Sequence, residues 1–484
     1  MLEKIFKLKE NKTTIGIEVT AGLTTFMTMA YIIALNPNLI TNFGAGTADA
    51  PASPGLWNAV FLATVISAAI GTLLMAFLAN RPFALAPGMG LNSYFATVIA
   101  TICGAAGFET YDEGLQAGLS IIFISGVLFT ILTLFKVREK IVDAIPQAVR
   151  LGIPAGIGFM LVNIGLGSNA GIFTANGEFR MLGSFFTNGP SATKEAMGAD
   201  AYNRMLLYVI SFFIGLFVIA TLAHYKKKAS ILIGMIVSAA VYWAGVAIVL
   251  SENPFESIIK GGASQWLPNF ADMAKFTLFK FNFEGLFEIG VFSAIMTIIS
   301  FCMVDMFDTI GTLYGTAKKA NMLDKDGNLP EMSKAMLADS IATCAGACTG
   351  TSTVTTFVES AAGVEAGGRT GLASVVTGFL FLACMFIAPI AAIIPAPATS
   401  AALVYVGVLM MGSLKEVNYD DVSQAVPVVL LLIFMIQTGG IGNGIGIGLI
   451  AYSIIKLCTG KAKDVSILTY ILALLFVGKF FITF

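Results

Sequence analysis

Thr349–Gly363 reads TGTSTVTTFVESAAG, and this run of small and hydroxylated residues decides how the rest of the chain folds. β-Branched Thr and Val are stiff at χ1 and suit an extended backbone better than a helix, yet the run lies inside a 484-residue chain that is 57% hydrophobic. It leads to a single acid, Glu359. A second stretch, Ala84–Ala96 (ALAPGMGLNSYFA), is broken in a similar way by Pro87, Gly88 and Gly90 and leads into Asn92. Interrupted apolar segments in matching places of two halves mark a transporter site near the bilayer midplane, where irregular backbone and half-helix N-termini can face a ligand.

Composition sets the class. With 12% charged residues, 50 Gly and a mean hydropathy of +0.85, the chain is a polytopic helical membrane protein. Its net charge of -1 and its short basic clusters between apolar runs give no footprint for nucleic acid. The six Cys form no CxxC pair and read as small core hydrophobes. His224, the one histidine, stands beside Lys226, Lys227 and Lys228 at a helix end, the place of an interfacial side chain rather than a proton shuttle. GxxxxGK[ST], GxSxG and HExxH are all missing, so neither a metal nor a cofactor is expected, and a membrane-embedded enzyme is the poorest reading.

Hydropathy divides the chain into fourteen segments: Thr14–Leu35, Trp57–Ala79, Pro82–Thr101, Leu115–Phe135, Ile141–Leu166, Met205–Ala223, Ser230–Leu250, Leu286–Tyr314, Lys334–Ala347, Ser352–Ala366, Thr370–Ala391, Ala398–Met411, Gln424–Thr438 and Ile441–Leu457. They are called spans one to fourteen below. The run after MLEKIFKLKENK is long, contains Glu18 and lacks a small-x-small cleavage pattern, so it is expected to stay as span one. Basic residues precede span one and follow every even-numbered span, whereas the short opposite loops 36–56 and 104–114 have no Lys or Arg, which puts the N-terminus in the cytoplasm. Seven spans precede the long loop 251–284 and seven follow it. An odd count makes the second half enter from the opposite face, the arithmetic of an inverted repeat.

Acids at membrane depth cost at least a few kcal/mol each and persist where they bind something or relay protons. Asp305 and Asp308, at i and i+3, share one face of span eight, and either of them fits a pocket. Asp339 can hold spans eight, nine and ten together by hydrogen bonds. Glu365 and Arg369 are expected to pair one turn apart, and Glu18 and Glu288 to favour the dipoles at the starts of their own helices. GGIGNGIGIG, Gly439–Gly448, reads as close helix packing.

The chain resembles the AzgA-type adenine, guanine and hypoxanthine permeases, a branch of the nucleobase:cation symporter-2 (xanthine/uracil permease) family. The resemblance rests on GIEVTAGLTTFMTMAYIIALNPNLI in span one, APGMGLNSYFA in span three, FCMVDMFDTIGTLYG in span eight and TGTSTVTTFVESAAGVEAGGRTGL from span ten into span eleven, in the same order along nearly the whole chain. It implies a 7+7 inverted-repeat, all-α membrane fold. A core domain would comprise residues 1–138 and 285–393, and a gate domain residues 139–284 and 394–484. It also implies a homodimer formed through the gate and proton-coupled uptake of purine bases at the plasma (inner) membrane by an elevator-like movement of the core. Carried over residue by residue, the family's substrate acid falls on Glu359, its span-three Asn on Asn92, its span-eight acid on Asp305, with Asp308 competing for that role, and its span-nine acid on Asp339.

The residue chemistry suits a purine. A neutral base presents N–H donors and ring or carbonyl acceptors on a flat ring, so its site needs a carboxylate, amides or hydroxyls and an aromatic wall. Glu359, Asn92, Thr25, Thr355, Thr356, Phe26, Tyr94 and Phe357 supply those types. A SulP-like transporter or channel for small anions is the runner-up. It would favour a midplane Arg or Lys, and none occurs in the spans that form the site. Which purine is preferred, and whether residues 465–482 cross the membrane, stay open at this level.

Overall fold

The computed structural model describes residues 2–42, 44–135, 145–173, 181–227, 229–253, 266–319, 322, 329 and 331–482. Lys136, Arg138, Lys140 and Lys325, part of the charge pattern, fall outside them. Eleven helices among the described residues are long and apolar enough to cross a bilayer, and the chain is a multi-pass membrane protein.

Span one departs from its expected form. It runs to Ile40 as two helices, Ile15–Met29 and Ile32–Ile40, with Ala30 and Tyr31 forming the turn between them. NPN at 36–38 reads as a stop signal, yet Pro37 is accommodated within the second helix. The buried polar side chains explain this: Asn36 donates to Thr64 at 2.7 Å and to Thr351 at 2.9 Å, and Asn38 accepts from the Trp57 indole at 2.6 Å. Tertiary hydrogen bonds outweigh the local turn preference.

Spans three and ten are each a short strand followed by a helix. β1 (Leu85–Pro87) leads into Met89–Ala106, and β2 (Val354–Thr356) leads into the short helix Ser360–Glu365. Around them, span one packs on spans ten and eleven, span two on nine and eleven, and span four on three, eight and nine. A second group gathers separately: span five on twelve, thirteen and fourteen, span six on seven and twelve, and thirteen on fourteen. Spans five and twelve cross where Gly158 and Gly407 abut backbone to backbone. A Cβ on either would sit 2.5 Å from the other's carbonyl oxygen.

Two charged residues take roles other than those the spacing suggests. Glu18 does not serve its own helix; its carboxylate accepts from the backbone amides of Arg369, Thr370 and Ala373 and so caps the N-terminus of span eleven. The Arg369 guanidinium donates to the Val364 and Gly368 carbonyls at 2.8 and 2.7 Å rather than to Glu365. Beyond span fourteen, Ile467–Ile482 forms a 16-residue helix, about 24 Å long against the ~30 Å of a hydrocarbon core. It lies along span fourteen, with Phe476 against Gly446 and Lys479 donating to Asn443 at 3.1 Å. The Gly-rich run thus packs against helices, as its composition suggests.

Candidate functional site

The two breaks pair with each other. β1 and β2 run antiparallel, with Leu85 opposite Thr356, Ala86 opposite Thr355 and Pro87 opposite Val354. Bonds from the Gly88 amide to the Thr353 carbonyl and from the Phe357 amide to the Ala84 carbonyl, both 3.0 Å, extend the ribbon at its two ends. A two-stranded ribbon inside a membrane has two open edges, and each unpaired backbone group there costs several kcal/mol. Buried side chains close them. The Thr72 hydroxyl accepts from the Leu85 amide and donates to its carbonyl, both at 2.9 Å, and Ser360 accepts from the Ala84 amide at 3.0 Å.

Asp339 closes the other edge. One carboxylate oxygen accepts from the Thr356 amide and hydroxyl, both at 2.9 Å, and the second accepts from Thr309 on span eight at 2.7 Å. Asp339→Ala would leave three buried donors without their acceptor, an expected loss of about 3–5 kcal/mol. The check is the melting temperature of the detergent-purified protein, which should fall well below wild type and further than in Asp339→Asn, where one acceptor oxygen survives.

The acids of span eight diverge by one helical turn. Asp305 is fully buried and faces span nine: one oxygen accepts from the Thr343 hydroxyl at 2.9 Å, and the other, Oδ1, has no hydrogen-bond partner among the described residues. Asp308, only partly buried, lies within electrostatic reach of the Thr355 hydroxyl and of Glu359. Glu359 sits at the N-cap of the short helix Ser360–Glu365, and its Oε1 accepts from the Tyr31 hydroxyl at 2.7 Å. Two carboxylates, Thr355 and the Tyr31 hydroxyl therefore gather near the end of β2.

The remaining sequence-derived residues distribute around this point. Thr25 is buried against the short helix at Gly363, while Phe26, next along, meets Phe381 of span eleven edge-on at 5.4 Å. Tyr94 stacks on Phe301 of span eight at 4.6 Å, with its hydroxyl near those of Thr297 and Ser300. Phe357 is buried beside the strand. Asn92 is fully buried and already engaged: its amide donates to Asn36 at 2.5 Å and to the Pro87 carbonyl at 3.3 Å, and its oxygen accepts from the Ser352 hydroxyl. A ligand would reach that carboxamide only by displacing one of these bonds.

Tyr31, Asn36, Thr72, Thr343 and Ser352 were not singled out by sequence reasoning. The available signal was slight: a buried phenol or carboxamide must find a partner, but one sequence does not say where.

Comparison with known proteins follows the same outline. The sequence profile of the Permease family (xanthine/uracil type) matches residues 16–447. Adenine permease AdeP of Escherichia coli is 36% identical over 480 residues, covering 99% of this chain and 96% of that protein. Guanine/hypoxanthine permease PbuO of Bacillus subtilis is 36% identical over 481 residues, covering 99% of this chain and all of that protein. Among solved structures, the transmembrane domain of the cyanobacterial bicarbonate transporter BicA superposes with a TM-score of 0.60 at 14% identity, covering 90% of this chain and 97% of that one. The murine Slc26a9 anion transporter gives 0.60 at 13%, covering 92% and 68%. These likenesses establish the 7+7 inverted-repeat fold.

Proposed function

The chain belongs to the Permease family, so it is a membrane transporter and not an enzyme, and we propose that it takes up purine nucleobases in symport with protons. The observation that carries the reading is the Glu359 carboxylate, set at the end of the paired breaks with one oxygen held by Tyr31, so that Oε2 can accept from a purine N–H. Relatives named for adenine and for guanine and hypoxanthine, at 36% identity in both cases, support the substrate class.

In this reading Asp308 and Thr355 extend the polar wall, Tyr94 and Phe357 contribute aromatic surface, and Asn92 secures the Pro87 end of the ribbon. Asp305 carries the proton. The group built on spans one to four and eight to eleven forms the core, the group built on spans five to seven and twelve to fourteen forms the gate, and transport proceeds by elevator movement of one along the other. Smooth contacts on their seam support this: Ile157 of span five lies over Gly90, and Ser300 of span eight over Gly442. The cytoplasmic N-terminus, residence in the plasma membrane and dimerisation through the gate complete the proposal.

Radiolabelled hypoxanthine uptake into proteoliposomes containing the purified protein tests it. An inwardly directed proton gradient should drive accumulation, with unlabelled adenine, guanine and hypoxanthine competing and bicarbonate having no effect. Uptake of bicarbonate without purine uptake would favour the anion reading that the shared fold leaves available. The neighbouring acids Asp308 and Glu359 oppose that reading, since carboxylates at the site disfavour an anion.

A further inference from the structure

We propose that Tyr31 is a positioning residue that fixes the Glu359 carboxylate and dictates which of its oxygens meets the substrate. The inference rests on the purine reading of the site and adds a residue to it.

The geometry that delivers Tyr31 begins with the missing side chain of Gly363. A Cβ there would lie 1.9 Å from the Thr25 hydroxyl oxygen and 2.7 Å from the Ala21 carbonyl, so only glycine lets span one lie directly on the short helix Ser360–Glu365. Thr25, Thr28 and Tyr31 recur every third residue along that contact, and Thr28 also reaches the Glu359 carbonyl at 3.4 Å. The first helix of span one stops at Met29, and Tyr31 stands in the turn before Ile32. Tyr31 is 1% exposed, and its hydroxyl donates to Glu359 Oε1 at 2.7 Å.

A phenol donating to a carboxylate makes a charge-assisted bond, stronger than a neutral pair. Glutamate has three rotatable bonds, so a carboxylate with no fixed partner can adopt several positions. Left alone, the Glu359 carboxylate would lose its fixed orientation. The Tyr31 bond holds Oε1 and leaves Oε2 as the acceptor presented to a base.

The arrangement makes a prediction whose sign a merely structural tyrosine does not share. In Glu359→Gln the buried phenol must still donate, so it claims the amide oxygen and turns the NH2 group toward the substrate N–H. Removing the hydroxyl lets that amide flip. In otherwise wild-type protein, Tyr31→Phe should therefore raise Kd and KM for hypoxanthine roughly tenfold, the scale of one lost charge-assisted hydrogen bond, with the maximal rate close to wild type. In the Glu359→Gln background the same substitution should leave binding no weaker, or partly restore it. Full-length proteins in proteoliposomes give KM, and calorimetry on the purified set gives Kd. Wild-type affinity in Tyr31→Phe, or a further tenfold loss on top of Glu359→Gln, overturns the proposal.

Should Tyr31→Phe not fold, a fluorinated tyrosine placed at position 31 keeps ring and hydroxyl but ionises at lower pH. Its Kd for hypoxanthine, measured at one fixed pH, should then differ from that of wild type, and an identical Kd overturns the proposal equally. Failure of the purine reading looks different: wild type itself would bind no purine.

Discussion

Glu359→Gln should weaken purine binding by about 3 kcal/mol, roughly a hundredfold. The size follows from the replacement chemistry. A carboxylate offers two acceptor oxygens, and the Tyr31 hydroxyl occupies one at 2.7 Å. In the glutamine the phenol retains the carbonyl oxygen, so the group presented to the base becomes an NH2 donor facing an N–H donor. The substrate loses a charged acceptor and meets a buried repulsion together, while the shape of the side chain is nearly unchanged. Isothermal titration of the purified variant with hypoxanthine measures the loss. Binding equal to wild type would remove Glu359 from the substrate site.

Asp305→Asn should abolish uphill uptake while sparing base exchange. Asp305 lies behind the ribbon, fully buried, with Oδ2 held by Thr343 and Oδ1 without a hydrogen bond among the described residues. An asparagine keeps the oxygen that accepts from Thr343 but cannot cycle a proton. The fold should therefore survive and the coupling should not. In proteoliposomes loaded with unlabelled hypoxanthine, the variant should still exchange labelled base, whereas accumulation against a gradient and its sensitivity to a protonophore should both vanish. Persisting protonophore-sensitive accumulation would assign the proton to another residue. Because Asp308 rather than Asp305 interacts electrostatically with Glu359, Asp308→Asn should act mainly on affinity, which separates the two acids of span eight by phenotype.

The chain itself declares much of this architecture. Long apolar runs, basic clusters after even-numbered spans and two matched interruptions follow from constraints that act locally: the thickness of a bilayer, the cost of charge within it, and the backbone preferences of Pro, Gly and β-branched residues. Glu359, Asp305, Asp308 and Asp339 stood out for the same reason, since a carboxylate in an apolar run needs an explanation.

What tertiary structure alone decided is partnership. ALAPG and TSTVTT each signal an irregular segment, but only contact between the halves makes them strands of one ribbon, because an extended backbone in a membrane has to find hydrogen bonds from residues remote in sequence. The spacing of Asp305 and Asp308 places both on one helix face, yet a single turn sends one toward Thr343 and the other toward Thr355. Glu18 caps a helix more than 350 residues away in sequence, and NPN stays helical because Thr64, Thr351 and Trp57 bond to its side chains. Tyr31 looks like any aromatic residue of an apolar span until Gly363 brings the first span against the tenth. Periodicity and composition are properties of neighbours along the chain and can be read from it, whereas the donor that finds each buried acceptor is fixed only when distant segments pack.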